Sequence, residues 1–441
     1  MGFSEAFHAA AAYASPPDLN GFRRHIDPAW IEQALEATGT ATVRRRRLPS
    51  EQVIWVVLGM GLFRDRPLED IVSKLDLALP GVGTVARSSV SQARARVGSE
   101  PLRWLFERSG AVWAHRSASE HSWRGLRLYG MDGSTVRVPD TPENREAFGG
   151  QLTWGKSSSY PMVRIVVLMA LRSHLLAAAN FGRYEGVHEL QYGKPLCPAI
   201  PESSLTILDR GYFGASLLLG IEASGGRHWL VRARAKLKMK VVEHLGPGDD
   251  IVEMPLSPEA RTQDPSLPRT WRARRLLYQI EGFPEQALLT SLRDKARFPA
   301  QEVVELYHER WELELGYDEI KTNLLDREES IRSKKPDGVR QELWGVLLAY
   351  NLVRLEMEAL ANQEKIEPTR ISFIESLRLI RNEWDWLSVT SPGAIPKRLA
   401  TLRKNVKRYI LPPRRKRTYP RAVKIKISQY AHKPRRPERA K

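Results

Sequence analysis

Residues 126–233 narrow the fold more than any other stretch of this chain. Residues 126–132 and 134–138 alternate apolar and polar side chains at period two, with Gly133 between them, as strands do. Residues 161–170 and 174–179 read as two further strands, completing an antiparallel three-strand meander. A short helix is expected at 188–193. Residues 204–209 form an apolar run that ends on Asp209, a helix is expected at 215–223, and another strand at 228–233.

Three antiparallel strands, then parallel strands joined by crossover helices, is the order of a ribonuclease H-like α/β core. All-helical sequence precedes it. Asp27 and Pro28 suit an N-cap and first helical position, opening a helix over 28–37. Residues 52–60 are apolar nearly all round, as a central helix would be. Another amphipathic helix is expected at 67–75, followed by a turn at Pro80, Gly81 and Gly83. Ser88 or Ser89 would cap a short helix over 88–96, ended by Gly98, with Ser99 and Pro101 opening the next. That short helix carries Ser89, Gln92, Arg94 and Arg96, side chains suited to phosphates and base edges. A turn before a short basic helix is compatible with a helix-turn-helix reader or with an exposed helix of no special role. Arg44, Arg45, Arg46 and Arg47 form a basic run ahead of the central helix. Downstream of the core strands, 236–292 is strand-like and rich in Pro, Gly and Arg. Long helices are expected at 302–325 and 340–360, shorter ones at 371–380 and 395–403, and irregular chain from 411. The expected division is a helical DNA-binding head (1–118), the first part of the catalytic core (119–235), a β-rich insertion (236–300), the last part of the core (301–362), and C-terminal helices with a basic tail (363–441).

Charge points to the partner. The net charge is +18 and the isoelectric point about 10.0. The last 41 residues hold sixteen Lys or Arg and one acid, Glu438, so the first 400 are close to neutral. Such a surplus fits a polyanion, nucleic acid before a membrane surface. Arg414, Arg415, Lys416 and Arg417 are the densest part of the tail. Taken alone, a tail of this kind also suits solubility or RNA binding. The single Cys197 excludes an intramolecular disulfide framework and a Cys-rich zinc site. No run of about 20 apolar residues favours a spanning helix, and the N-terminus lacks a secretory pattern, which leaves the cytoplasm, with the nucleoid, as the expected location.

Three acids and one helix face suggest the chemistry. Asp132 and Asp209 each close an apolar strand beside a glycine, which suits a site at a sheet edge or a simple turn. On the helix over 302–325, at about 100° per residue, Tyr307, Arg310, Glu314 and Lys321 fall within about 60° of one another. Leu306, Leu313, Tyr317, Ile320 and Leu324 form the adjoining apolar stripe. The polar stripe is also what a solvated edge laced with ion pairs looks like. Carboxylate oxygens, however, are what Mg²⁺ takes. Two such ions about 3.5–4 Å apart activate an attacking oxygen and stabilise the leaving one, while Arg and Lys hold the neighbouring phosphates. Phosphodiester chemistry on DNA accounts for acids, cations and net charge together.

Tyr307-x2-Arg310-x3-Glu314-x6-Lys321 is similar to the Y-R-E-K signature of the insertion-element-four family of DDE transposases, bacterial insertion-sequence enzymes. Asp132-Gly133-Ser134 with Asp140-Thr141-Pro142 resembles the family's first-aspartate block, and Asp209-Arg210-Gly211-Tyr212 its second. Trp344-Gly345 with the run from Ala349 to Arg354 resembles the helix after the signature, and the head and tail also look familial. The resemblance implies a β-rich insert between the second aspartate and the glutamate. It implies cut-and-paste transposition in which Asp132, Asp209 and Glu314 hold two Mg²⁺ or Mn²⁺ ions. Water frees a 3′-hydroxyl, that hydroxyl makes a hairpin, and the reopened end joins target DNA. Tyr307, Arg310 and Lys321 would hold DNA phosphates. The expected partners are double-stranded DNA, as terminal inverted repeats and target, and a second copy of the chain on paired ends; no membrane is expected. A nuclease of the same fold without strand transfer, an inert DNA-binding protein, and Tyr307 as a covalent nucleophile are the alternatives. Among lesser features, His188-Glu189 reads as a helix start, Cys197 as structural, and Trp229 and Trp271 as core residues.

Overall fold

The protein is described from a computed structural model, over residues 26–41, 48–74, 85–153, 156–234, 237–280, 284–326, 331–387 and 409–412. The candidate residues Arg44, Arg45, Arg46 and Arg47, the turn at Pro80–Gly83, the helix expected at 395–403, and Arg414, Arg415, Lys416 and Arg417 lie outside these residues.

Five helices precede the sheet: α1 (Pro28–Ala37), α2 (Ser50–Leu62), α3 (Leu68–Lys74), α4 (Arg87–Val97) and α5 (Glu100–Glu120). Asp27 caps α1 as its sequence suggests, its side chain accepting from the Ala29 amide at 2.9 Å with Pro28 in the first turn. Every residue of α2 except Glu51 is buried, which explains its all-round apolar sequence. The cap of α4 differs from expectation: the helix opens at Arg87 after Ala86, and no side chain caps it. Its Arg94 is turned inward. The Nε donates to Gln341 Oε1 at 2.9 Å and the Nη2 to Ser333 Oγ at 3.0 Å, so this arginine joins α4 to the C-terminal part of the fold. Ser89 is half-buried, and Gln92 and Arg96 are exposed.

The sheet begins with β1 (Arg127–Arg137), one continuous strand through Gly133 where the sequence suggested two. Antiparallel β3 (Lys156–Ala170) and β4 (Leu176–Arg183) complete the meander, and β2 (Gly150–Thr153) pairs with the start of β3. Between β1 and β2 lies α6 (Pro142–Phe148), capped by Thr141. Then α7 (Glu189–Gly193) precedes β5 (Ser204–Leu208), and α8 (Ala215–Glu222) crosses over to β6 (Arg227–Arg232). β5 runs parallel to both β1 and β6. The core order is therefore β4-β3-β1-β5-β6, an α/β arrangement that fits a ribonuclease H-like core.

The insertion is not a separate body. Its strands β7 (Lys240–Gly246), β8 (Asp249–Pro255), β9 (Thr270–Tyr278) and β10 (Gln286–Thr290) continue the same sheet, because β10 pairs antiparallel with β6. The short α9 (Pro258–Gln263) links β8 to β9. Trp229 of β6 and Trp271 of β9 are buried against each other, ring centroids 5.6 Å apart. They fill the seam between core and insertion and are not open to stacking by a base. Buried Arg274 grips Asp249 with both Nε and Nη2, at 2.7 and 2.6 Å, and stiffens the far strands.

Two helical segments close the fold. The first is one run of changing pitch: α10 (Ala300–Tyr307), a 3₁₀ turn (His308–Arg310), α11 (Trp311–Asp318) and a π turn (Glu319–Leu324). The second is α12 (Pro336–Glu364), largely buried, followed by α13 (Phe373–Leu387). Among the described residues no helix is long and apolar enough to cross a membrane.

Candidate active site

Strand register brings the two aspartates together. Arg127 to Met131 of β1 pair in parallel with Ser204 to Leu208 of β5. Asp132 follows the last paired residue of one strand and Asp209 that of the other, so they emerge side by side on strands about 4.8 Å apart. Asp132 is therefore internal to β1 and not at its end as expected, because β1 continues along β3 after β5 has stopped. The Asp132 carboxylate accepts its neighbour's amide, Gly133 N, at 2.8 Å, and Asp209 accepts the Gly211 amide. Neither second oxygen has a hydrogen-bond partner among the described residues.

The helical run that carries Glu314 lies against β1. A Cβ on Gly130 would stand 2.7 Å from Leu313 Cδ1, and one on Gly316 2.7 Å from Met169 Sδ, so both glycines permit this close approach. Tyr317, whose sequence position suggested mere core, donates its hydroxyl to the Asp132 carbonyl at 2.6 Å and pins the helix to the acid-bearing strand. Lys321 Nζ donates to Ser134 Oγ, two residues past Asp132, at 3.2 Å. Arg310 Nη2 donates to Glu314 Oε1 at 2.9 Å. Tyr307 is less accessible than the helix face suggested. It is 9% exposed, with its hydroxyl 3.5 Å from the Leu208 carbonyl, just under Asp209. The overwound 3₁₀ turn after Tyr307 separates it in depth from Arg310, which a uniform helical projection misses.

The electrostatics suit a cation. Burial pushes the Asp132 carboxyl up to about 7; the Gly133 amide opposes this, while the negative fields of Asp209 and Glu189 reinforce it. Burial drives Tyr307 up to about 12, which disfavours a phenolate nucleophile. Burial lowers Lys321, with Arg137 acting in the same direction. Crowded carboxylates with free oxygens are the donor set that hard divalent ions take, so the residues present fit such ions. Glu314 is paired to Arg310 and does not form a compact cage with the aspartates. Among the described residues, a trio of His, Cys, Asp or Glu with all ligand atoms within 4.8 Å occurs elsewhere.

Glu189 belongs to this neighbourhood although its sequence context read as a helix start. His188 does cap α7, with its amide donating to Gln191 Oε1 at 2.9 Å. The Glu189 carboxylate, however, lies over Gly133, where a Cβ would meet it at 2.6 Å, and it pairs with Arg164 Nη1 at 3.1 Å. Asp140 lies apart, ion-paired with Arg145 on the surface. Behind the helix, Glu319 is largely buried and bonded to Arg354, to His174 Nδ1 at 3.3 Å and to Tyr350 Oη at 2.8 Å. Burial would raise its carboxyl, but Arg354 and His174 outweigh burial and hold it near 2. No residue spacing in the sequence announced this network, since Glu319 lies 145 positions from His174 and 35 from Arg354, on different elements. Beside Asp209, an open cavity of about 520 Å³ is lined by Asp209, Arg210, Gly211 and Arg234.

Known proteins repeat this architecture in sequence. The family described as insertion element 4 transposase N-terminal matches residues 16–107, and the transposase DDE domain family matches residues 123–352. The chain is 40% identical over 440 residues to a transposase InsG for insertion sequence element IS4 from Escherichia coli (strain K12), covering 99% of both chains. It is 36% identical over 233 residues to a putative transposase InsZ of the same strain, covering 52% of this chain and 76% of that one. A piggyBac transposase synaptic complex with hairpin DNA aligns at a TM-score of 0.43 and 12% identity, over 91% of this chain and 87% of that chain.

Proposed function

The chain belongs to the insertion element 4 family of DDE transposases, metal-dependent enzymes of DNA cleavage and transfer, and on that premise we propose that it moves an insertion sequence by cut-and-paste. Asp132, Asp209 and Glu314 are its catalytic acids, and the bound ions are two Mg²⁺ or Mn²⁺. The observation that carries this assignment is the β1–β5 register, which sets Asp132 beside Asp209, together with the Tyr317 bond that anchors the Glu314 helix to the same strand.

Bound at these carboxylates, the ions would supply Lewis-acid activation of the attacking oxygen and charge stabilisation of the leaving one. The chain's own groups do the rest. Arg310 and Lys321 hold phosphates flanking the scissile bond, with Tyr307 supporting them from beneath. A water oxygen attacks phosphorus in line and the 3′ oxygen leaves, giving a 3′-hydroxyl at the element end. That hydroxyl attacks the opposite strand to close a hairpin; after reopening, the 3′ end attacks target DNA. Each transfer replaces one P–O bond by another and needs no covalent protein–DNA bond. Two copies of the chain act on paired terminal inverted repeats, with the helical head reading the repeat and the tail holding phosphate.

The test is an incubation of the full chain with DNA carrying the element's own ends, a target plasmid and Mg²⁺, with products resolved on denaturing gels. Hairpin-ended element and target joints are expected. Cleavage without joints would mean a nuclease of the same fold, and no cleavage in any divalent ion would mean an inert DNA-binding protein.

A further inference from the structure

The joint between α5 and α12 holds a second group of ligand-type side chains, distinct from the three acids. Glu120 ends α5, His121 is its C-cap residue, and Glu358 comes from the last two turns of α12. Their ligand atoms all lie within 4.8 Å of one another. His121 Nε2 and Glu358 Oε1 stand 3.8 Å apart, beyond a hydrogen bond, and both are buried without a hydrogen-bond partner. The Glu358 side chain is only 3% exposed, so an unsatisfied carboxylate oxygen there is costly.

We propose that Glu120, His121 and Glu358 form a structural site for a divalent transition cation, zinc first, which ties the end of α5 to α12. Two atoms each about 2 Å from a zinc at a tetrahedral angle stand about 3.3 Å apart, so the 3.8 Å between His121 and Glu358, within a trio spanning no more than 4.8 Å, closes on an ion by side-chain adjustment. One imidazole with two carboxylates is a nitrogen–oxygen set that favours zinc over magnesium, with water as the fourth ligand. The helix direction helps, because the negative end of the α5 dipole points at this spot. Arg172 fixes the cap by donating to the His121 carbonyl at 3.2 Å. Arg116 does not replace the ion. It is 56% exposed, 3.6 Å from the other Glu358 oxygen and 3.9 Å from Glu120, in long pairs that contribute little.

The experiment uses the full chain, stripped with chelator and then kept in millimolar Mg²⁺ so that oxygen-only sites are filled. Zinc is added, excess is removed, and metal per chain and melting temperature are measured; cobalt is substituted for its visible absorption. Wild type should retain about one zinc, melt a few degrees higher with zinc, and give a cobalt spectrum with nitrogen ligation. His121→Gln should lose all three. Exposed Glu120→Gln, which should leave folding intact, should weaken zinc binding about tenfold or more. Equal zinc retention and melting in wild type and both variants would overturn the proposal, as would a wild type that retains none.

Discussion

Asp132 ties chemistry to stability in a single residue. Its carboxyl titrates near 7 in the fold against about 3.9 in the unfolded chain. The native state therefore binds more protons, and this residue's contribution to stability falls as pH rises from about 4 to about 7. Without divalent ions at pH 8, Asp132→Asn should be more stable than wild type by about 1–3 kcal/mol, the upper end discounted because the carboxyl is partly open to water, while cleavage is lost. Denaturant melts in EDTA check this; a destabilised Asn variant would contradict it. At limiting Mg²⁺, cleavage should rise with pH through about 7, and the midpoint should fall as Mg²⁺ is raised, since ion and proton compete for the same oxygens. Arg310→Lys keeps the charge but loses the planar fork. Cleavage should drop at least about tenfold in Arg310→Lys and in Lys321→Ala with unchanged melting temperatures, because a part-exposed i,i+4 pair such as Arg310–Glu314 is worth only about 0.3–0.5 kcal/mol. Full activity in both would leave Glu314 as the helix face's one working residue. The types and spacing of these residues were legible in sequence. The burial of Tyr307 was not, nor was the Glu189 carboxylate over Gly133, because depth and cross-chain neighbours leave no mark on spacing.

At the scale of elements, the alternation of 126–138, the apolar run before Asp209 and the two long helices were readable because strand and helix periods differ. What escaped was pitch and pairing. The run carrying Glu314 passes from α to 3₁₀ to α to π, with Tyr317 bonded to β1 and Glu319 bonded beneath at the start of the π turn. Likewise the insertion joins the core sheet through β10 on β6, a pairing between segments more than fifty residues apart. Glu319→Ala would leave Arg354, 1% exposed, without its acid, and buried His174 with Glu312 alone. It should destabilise the fold by about 3–5 kcal/mol, as removal of one partner of a buried pair does. A loss under about 1 kcal/mol would show that the π turn does not depend on this anchor.

Across the whole molecule, the helical head is welded to the core. A Cβ on Gly345 of α12 would stand 2.5 Å from Val57 of α2, and one on Gly61 would stand 3.0 Å from Ala349. Glu342 at the base of α12, fully buried, binds Arg64. Arg94, read in the sequence as facing DNA, belongs to the same seam. A fragment ending near residue 118 would expose the largely apolar α2, so the division of labour between head and tail is best tested in the full chain. The tail carries most of the net charge. Removing 413–441 should lower DNA affinity at low salt and flatten the logarithmic salt dependence by several units, while preserving preference for element ends over random DNA. An unchanged slope would place the phosphate contacts elsewhere. The most direct measurement of the central claim is Mg²⁺-dependent cleavage of element-end DNA by wild type and by Asp132→Ala, Asp209→Ala and Glu314→Ala, with DNA binding measured on the same samples. The account predicts cleavage abolished in all three with binding within about threefold of wild type, since phosphate contacts come from Lys and Arg. Cleavage near the wild-type rate in any one of them would remove that residue from the site and contradict the account.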